Sequence, residues 1–251
     1  MKIPFVILFT AGWLPLLAAA APPPETPQAI PLDQLRAAAE KQSTNNGSGI
    51  TPTAAGAKLT ARMQDLEAEA TADGLWLTST ADENAGRPNR FRVRGMAMGR
   101  DAAVPIRLGG IGIVRSTPDR ADFVRPELSE EYSVSTDGVR QDFLVPERPA
   151  GAGEMTVELE ITGAHAEAAD YGAKLTVAEG GRELAYSRLK VTDASGRELA
   201  ARMVVAAADR LRVFVDDLDA AYPVRIDPTF SDADWVSMGQ TPGVQGGGCF
   251  G

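Results

Sequence analysis

Cysteine and histidine are almost missing from this chain: Cys249 and His165 are the only ones in 251 residues. A single cysteine excludes an intrachain disulfide. One histidine plus one cysteine falls short of the donors that structural zinc requires. Any Ser-His-Asp triad would have to use His165, which lies in Gly163-Ala164-His165-Ala166-Glu167 and reads as a solvated strand-to-loop residue without a nucleophile elbow. Aromatic residues make up only 6%, and basic side chains are outnumbered by acidic ones, 25 to 34. The net charge of −9 works against nonspecific binding to nucleic acid or anionic lipid. No phosphate loop or dinucleotide fingerprint occurs. The bare Gly110-Ile111-Gly112 sits in an apolar strand pattern with no helix after it.

What is present begins with an apolar N-terminus. Lys2, the run Ile3 to Leu17 and then Ala18-Ala19-Ala20-Ala21 follow the order of charged region, apolar region and small-residue cleavage site. Residues 1–21 therefore predict a signal peptide, and with it an exported chain, extracellular or at the cell surface. The run is shorter than the roughly 20 residues of a spanning helix, and no later run reaches that length, so the mature chain is expected to have no transmembrane span. Residues 22–65 predict a flexible Pro/Ala/Asn-rich tether. PPPETPQAIP is stiff, Pro31 to Gln42 suits a short helix, and STNNGSGITPTAAG is polar and mobile in character. A further helical turn or two is expected over Ala57 to Gln64, where Leu59 and Met63 share a face.

From Leu66 the apolar period is two, which predicts strands. Asp73-Gly74 and Asp137-Gly138 each stand between alternating runs as hairpin signals, and Gly180-Gly181 marks a third hairpin. A continuous helix over 57–72 is the competing reading of the first. Further strands are expected over Arg90 to Met96, Val104 to Val114 with a bulge at Gly109-Gly110, and Met155 to Thr162, with irregular chain from Arg115 to Ser129. Glu183 to Pro228 carries three more apolar runs, with Val204-Val205, Leu211/Val213/Val215 and Val224/Ile226 inward and Arg210, Arg212 and Asp216 outward. With 17 prolines and 25 glycines, so many short strands predict an all-β, antiparallel β-sandwich-like two-sheet domain over 66–228.

The segments YSRLKVTDASGRELAARM, RLRVFVDD and AAYPVRIDPTFSDADWVSMG, with DGVRQDFLVPERP ahead of MTVELEITG, resemble the N-terminal β-rich domain of large secreted bacterial proteins. In that family the domain precedes propeller-like or adhesin-like repeat arrays. The resemblance spans roughly residues 66–238 and implies a surface or extracellular module without catalytic residues, whose partner is a downstream repeat array of the same protein. On that reading, Gly-rich residues 229–251 are the start of a missing downstream region.

Candidate sites are few. Asp216, Asp217 and Asp219, then Asp227, Asp232 and Asp234, offer carboxylates for calcium, but neither cluster has the spacing of an EF-hand loop, and turn or solvated edge is the plainer reading. Arg90, Arg92 and Arg94 share one strand face. They either grip an anionic polysaccharide or lipid headgroup, with exposed aromatic residues such as Trp76 as a separate candidate contact for a glycan, or pair with an acidic face such as Glu158 and Glu160. A carboxylate pair for glycoside hydrolysis has no specificity among 34 acids. The sequence thus predicts no catalytic, cofactor-binding or metal residues and no enzyme. It predicts a non-catalytic exported structural or presentation module, with a glycan- or matrix-binding β-sandwich module as the alternative.

Overall fold

The computed structural model describes residues 48–81, 89–100, 105–109 and 112–239. The expected signal peptide, the Pro31 to Gln42 helix and Cys249 lie outside the described residues. In chain order the strands are β1 (Gly49–Thr53), β2 (Gly56–Ala61), β3 (Leu66–Thr71), β4 (Gly74–Ser79), β5 (Arg90–Arg100) and β6 (Ile106–Arg107). Then come β7 (Ile113–Ser116), β8 (Ala121–Val124), β9 (Ser129–Ser135), β10 (Gly138–Val145), β11 (Met155–Thr162) and β12 (Ala164–Ala169). The last are β13 (Gly172–Val177), β14 (Glu183–Thr192), β15 (Ala201–Ala207), β16 (Arg210–Val215) and β17 (Val224–Asp232), followed by a short helix α1 (Ala233–Gly239). None of the helices described is long and apolar enough to cross a membrane.

All pairings are antiparallel, and they form two sheets. The first runs β1-β2-β3-β4-β5-β11-β16-β15, with β6 on β5; the second runs β12-β13-β14-β17-β10-β9-β8-β7. The period-two pattern produces this directly. Along β11, Met155, Val157, Leu159 and Ile161 are buried while the residues between them reach the surface. Its ladder to β16 sets Val157 on Val213 and Leu159 on Leu211, so apolar meets apolar on one face. The two inner faces share one core, in which Phe91 of the first sheet meets Phe230 of the second edge-on at 6.4 Å. Tyr186 stacks on the other side of that contact, 4.1 Å from the Phe230 ring.

The three hairpins form where Asp73-Gly74, Asp137-Gly138 and Gly180-Gly181 predicted them. Gly138 is required twice over: its φ is +131°, and a Cβ there would overlap the Phe230 carbonyl. Gly163, at φ +86°, is where the chain leaves β11 in one sheet and enters β12 in the other.

Several expectations are corrected. The helical turns over Ala57 to Gln64 are strand β2 followed by one 3₁₀ turn at Arg62–Gln64, and the sheet begins at Gly49 rather than Leu66. Ala57, Leu59 and Ala61 alternate, but alanine favours helix intrinsically; pairing with Ala70, Ala68 and Leu66 of β3 decides the outcome. The same pairing overturns the continuous helix over 57–72. The single strand over Val104 to Val114 is instead β6 and β7, which belong to different sheets, and the irregular stretch to Ser129 holds β8. β17 runs through Pro228 to Asp232, because Pro228 falls between the paired residues on both sides and owes no ladder bond. Val204 points out to solvent; Met203 and Val205 are the residues of β15 packed against the core.

Candidate functional site

Arginine organises the polar side chains of this fold. On the outer face of the first sheet, Trp76 of β4 lies in register with Arg92 and with Glu69. Arg90 and Arg92 both lie over its ring, 4.5 and 5.3 Å from the centroid. Arg90 also reaches Glu69 at 2.5 Å, and Arg92 reaches Glu160 at 3.7 Å. Glu158, expected to pair with this strand, is held from the other side by Arg210 and Arg212, each at 3.0 Å. Arg90 and Arg92, which could grip an anionic ligand, are thus engaged by the protein's own carboxylates and indole. The structure brings Trp76, Arg90 and Arg92 together, a proximity that the strand pattern alone did not give, and closes them on one another.

The acidic clusters are dispersed in the same way. Asp217 is buried and doubly bonded to Arg100, Asp227 pairs with Arg140, and Asp232 pairs with Arg182 at 3.1 Å. Asp232 also accepts the Asp234 amide at 2.9 Å at the start of α1. Among the described residues no group of three His, Cys, Asp or Glu side chains is placed to hold a metal. His165 is exposed on edge strand β12, opposite Thr176, rather than in a loop.

Two buried nodes escaped the sequence reading. At the end of β5, the Arg100 guanidinium donates to Pro149 O at 2.9 Å, Gly153 O at 2.5 Å and Asp217 Oδ1 at 2.8 Å. The Tyr222 hydroxyl donates to the same carboxylate. Burial works to raise the Asp217 pKa, yet the Arg100 and Tyr222 bonds outweigh it and hold the carboxyl below its ordinary range. Burial and the bond to Asp217 push the Tyr222 phenol up. No motif announces this node: Arg100 ends an apolar strand, and its partners lie 49 to 117 positions away.

The second node lies inside the core. Glu130 of β9 accepts from Arg125, from the Tyr132 hydroxyl at 2.7 Å and from Gln141 Nε2 at 2.8 Å. Gln141 Oε1 in turn accepts the Tyr186 hydroxyl at 2.9 Å. Burial, and then the Glu130 charge, push both tyrosines well above the ordinary range. From the opposite sheet Gly95 of β5 packs closely on this cluster: a Cβ there would stand 3.1 Å from Glu130 Oε1, so the neighbour would have to give by a few tenths of an ångström. Every member is sealed from solvent, so no substrate atom can reach the carboxylate. The node does structural work.

On the outer face of the second sheet, Asp142, Asp227 and Glu131 share Arg140 and Arg225. Asp142 is pushed up to about 6, by burial first and the Asp227 charge second, with both arginines pulling the other way. Its folded value lies above the ordinary aspartate value near 3.9. Its contribution to stability is therefore complete below about pH 4 and is lost as pH rises through about 6. Asp193 and Asp217, held down, act in the opposite sense and only as pH falls below about 4. Thermal melts of Asp142→Asn are expected to show a smaller loss of stability between pH 4 and 7 than wild type, by roughly 2–3 kcal/mol. Parallel curves for the two proteins would contradict this assignment.

No protein-family model matches this chain, and no curated protein matches its sequence. Function therefore has to be read from the geometry.

Proposed function

We propose that this chain is a non-catalytic exported module whose role is structural: spacing, capping or presenting a repeat array located downstream in the same protein. The observation that carries the reading is the node at the point where the chain leaves the sandwich. Arg182, in the β13–β14 turn, donates to Gln64 O, Asp65 O and Ser79 Oγ, each at 2.6 Å, and to Asp232 at 3.1 Å. Gln64, itself buried, donates to Thr136 O at 3.0 Å and accepts the Asp232 amide at 2.9 Å. Three turns from separate hairpins are thereby tied to the last residue of β17, and α1 starts from there. A chain leaving from a clamped point transmits orientation to the next segment, which suits a presenting module.

The test combines location with chemistry. Fractionation and surface proteolysis of producing cells are expected to find the protein outside the cytoplasm, and the purified chain is expected to turn over nothing in a broad hydrolase screen. Reading the coding DNA past Gly251 is expected to reveal repeats. Cytoplasmic retention, saturable turnover or unrelated downstream sequence would each contradict the proposal.

Recognition of a glycan or matrix component is the second reading, and it rests on Trp76, Arg90 and Arg92 meeting on one outer face. A sugar ring would have to displace a guanidinium from the indole. A glycan array that finds no ligand, or one whose signal survives Arg92→Glu, removes this reading.

A further inference from the structure

A cleft of about 460 Å³, within the size range of small-molecule sites, opens where the start of β15 approaches the β12–β13 turn, β14 and α1. Its lining is mixed. Leu189, Met203 and Val236 are apolar, while the Asp170-Tyr171 turn and Ser187 bring a carboxylate and two hydroxyls. Ser187 is fully buried, and its hydroxyl has no hydrogen-bond partner. Such a group has given up water without gaining a bond, which is costly. Among the described residues, the Asp170 carboxylate and the Tyr171 hydroxyl make no hydrogen bond or ion pair either.

The backbone beside the cleft is irregular. β14 pairs Ser187 with Thr229 and Lys190 with Asp227, so β14 holds one residue more than β17 between those pairs. In that bulge Arg188 takes a left-handed backbone at φ +55°, which a non-glycine residue keeps only where its surroundings impose it. Bulges re-aim side chains, and this one turns Leu189 against the core while Ser187 stays in the lining. The charges around the cleft disfavour an ion. Arg188 is engaged by Asp137 at 3.1 Å and Arg202 by Glu154 at 2.5 Å, so an anion would compete with the protein's own carboxylates. A cation would meet those two guanidinium groups, with Asp170 as the one carboxylate among the lining residues to set against them. The groups left to be matched are a carboxylate and two hydroxyls beside apolar side chains.

We propose that this cleft binds a neutral saccharide, one or two sugar units of a glycan. A sugar ring is uncharged, rich in hydroxyls and apolar on its C–H face, which is the combination that the lining asks for. The ring packs on Tyr171, Leu189 and Met203. Its hydroxyls donate to Asp170, whose ionised carboxylate only accepts, and exchange hydrogen bonds with the Tyr171 hydroxyl. Ser187 is completed by a sugar hydroxyl or through a bridging water. The site is separate from the Trp76 face, where guanidinium groups already cover the indole, and does not depend on it.

An array of neutral saccharides and their sulfated counterparts, probed with the native protein, tests this, with calorimetric titration of the best neutral one. A neutral saccharide is expected to bind, Tyr171→Ala to abolish binding, and Asp170→Asn to raise the dissociation constant about tenfold or more. Asp170 is exposed, so Asp170→Asn is expected to melt like wild type and serves as the folding control. Ser187→Ala separates ligand binding from structure. Losing an unsatisfied hydroxyl is expected to leave the melting temperature unchanged or raised, while affinity falls. Binding that survives Arg92→Glu but not Tyr171→Ala supports the cleft, and the reverse pattern would place the glycan on the Trp76 face and overturn the proposal. So would the absence of any neutral ligand at about 10 mM saccharide, or a preference for the sulfated forms.

Discussion

Asp217→Ala is expected to cost about 3–5 kcal/mol of unfolding free energy, because it leaves the Arg100 guanidinium buried without a counter-charge. The Arg100 and Asp217 side chains are 0% and 1% exposed, so water cannot take the lost partner's place. The damage spreads beyond the pair. Tyr222 loses its acceptor, and Arg100 is also what holds the Pro149 and Gly153 carbonyls against the end of β5. For a domain of this size, a loss of that magnitude lowers the melting temperature by roughly 6–20 °C. Arg100→Met combined with Asp217→Leu is expected to recover much of the loss, since removing both charges removes the uncompensated one. Urea denaturation of the single and double variants measures both effects; a single variant within about 1 kcal/mol of wild type, on the order of an exposed pair, would show the node to be solvated.

Glu130→Ala is expected to have a similarly large effect, again about 3–5 kcal/mol, for a different reason. One carboxylate serves three donors, so its removal orphans Arg125, Tyr132 and Gln141 together inside the core. Glu130→Gln keeps oxygen at one of the two positions and is expected to lose less. A spectroscopic readout separates this from simple cavity formation. In the wild type, absorbance titration is expected to show Tyr132 and Tyr186 refusing to ionise until the protein unfolds, since burial and Glu130 hold both phenols well above their ordinary range. Without the Glu130 charge both are expected to titrate earlier in alkali. If the tyrosine titration of the variant is unchanged, the carboxylate does not set their ionisation.

The two-sheet core was readable in the sequence because burial there follows backbone geometry. Met155, Val157, Leu159 and Ile161 are buried as their alternation requires, and Asp73-Gly74 and Asp137-Gly138 made the turns that their chemistry dictates. The boundaries were harder to read. Ala57, Leu59 and Ala61 hid a strand behind helix-forming residues, and Pro228 suggested an end where the ladder only has a gap. The arginine nodes were not legible at all. Arg100 with Asp217 and Arg182 with Asp232 join residues whose closeness depends on strand order, and strand order leaves no local trace; Arg125 and Glu130 are close in sequence, but no motif marks the pair. Asp217, read as a solvated turn residue from spacing alone, becomes a buried anchor once the distant Arg100 folds over it. The Arg90, Arg92 and Trp76 face shows the intermediate case: the strand pattern placed the two arginines on one strand face, but only the register of β4 on β5 could bring the indole under their guanidinium groups.

Hydrogen exchange on the native protein tests most directly whether these nodes clamp a passive scaffold rather than leave a loop free to work over a site. The informative amides are Asp216, Ala220 and Ala221 in the loop bearing Asp217, with Ala194 facing them; all four are bonded within the protein, to Ala200 O, Asp217 O, Asp193 Oδ2 and Ala221 O. The expected result is that they exchange as slowly as the centre of β5, and that Asp217→Ala releases them together while the hairpin at Asp137-Gly138 stays protected. Exchange of this loop in wild type orders of magnitude faster than β5 would mark a mobile lid, and would contradict a clamped, non-catalytic module.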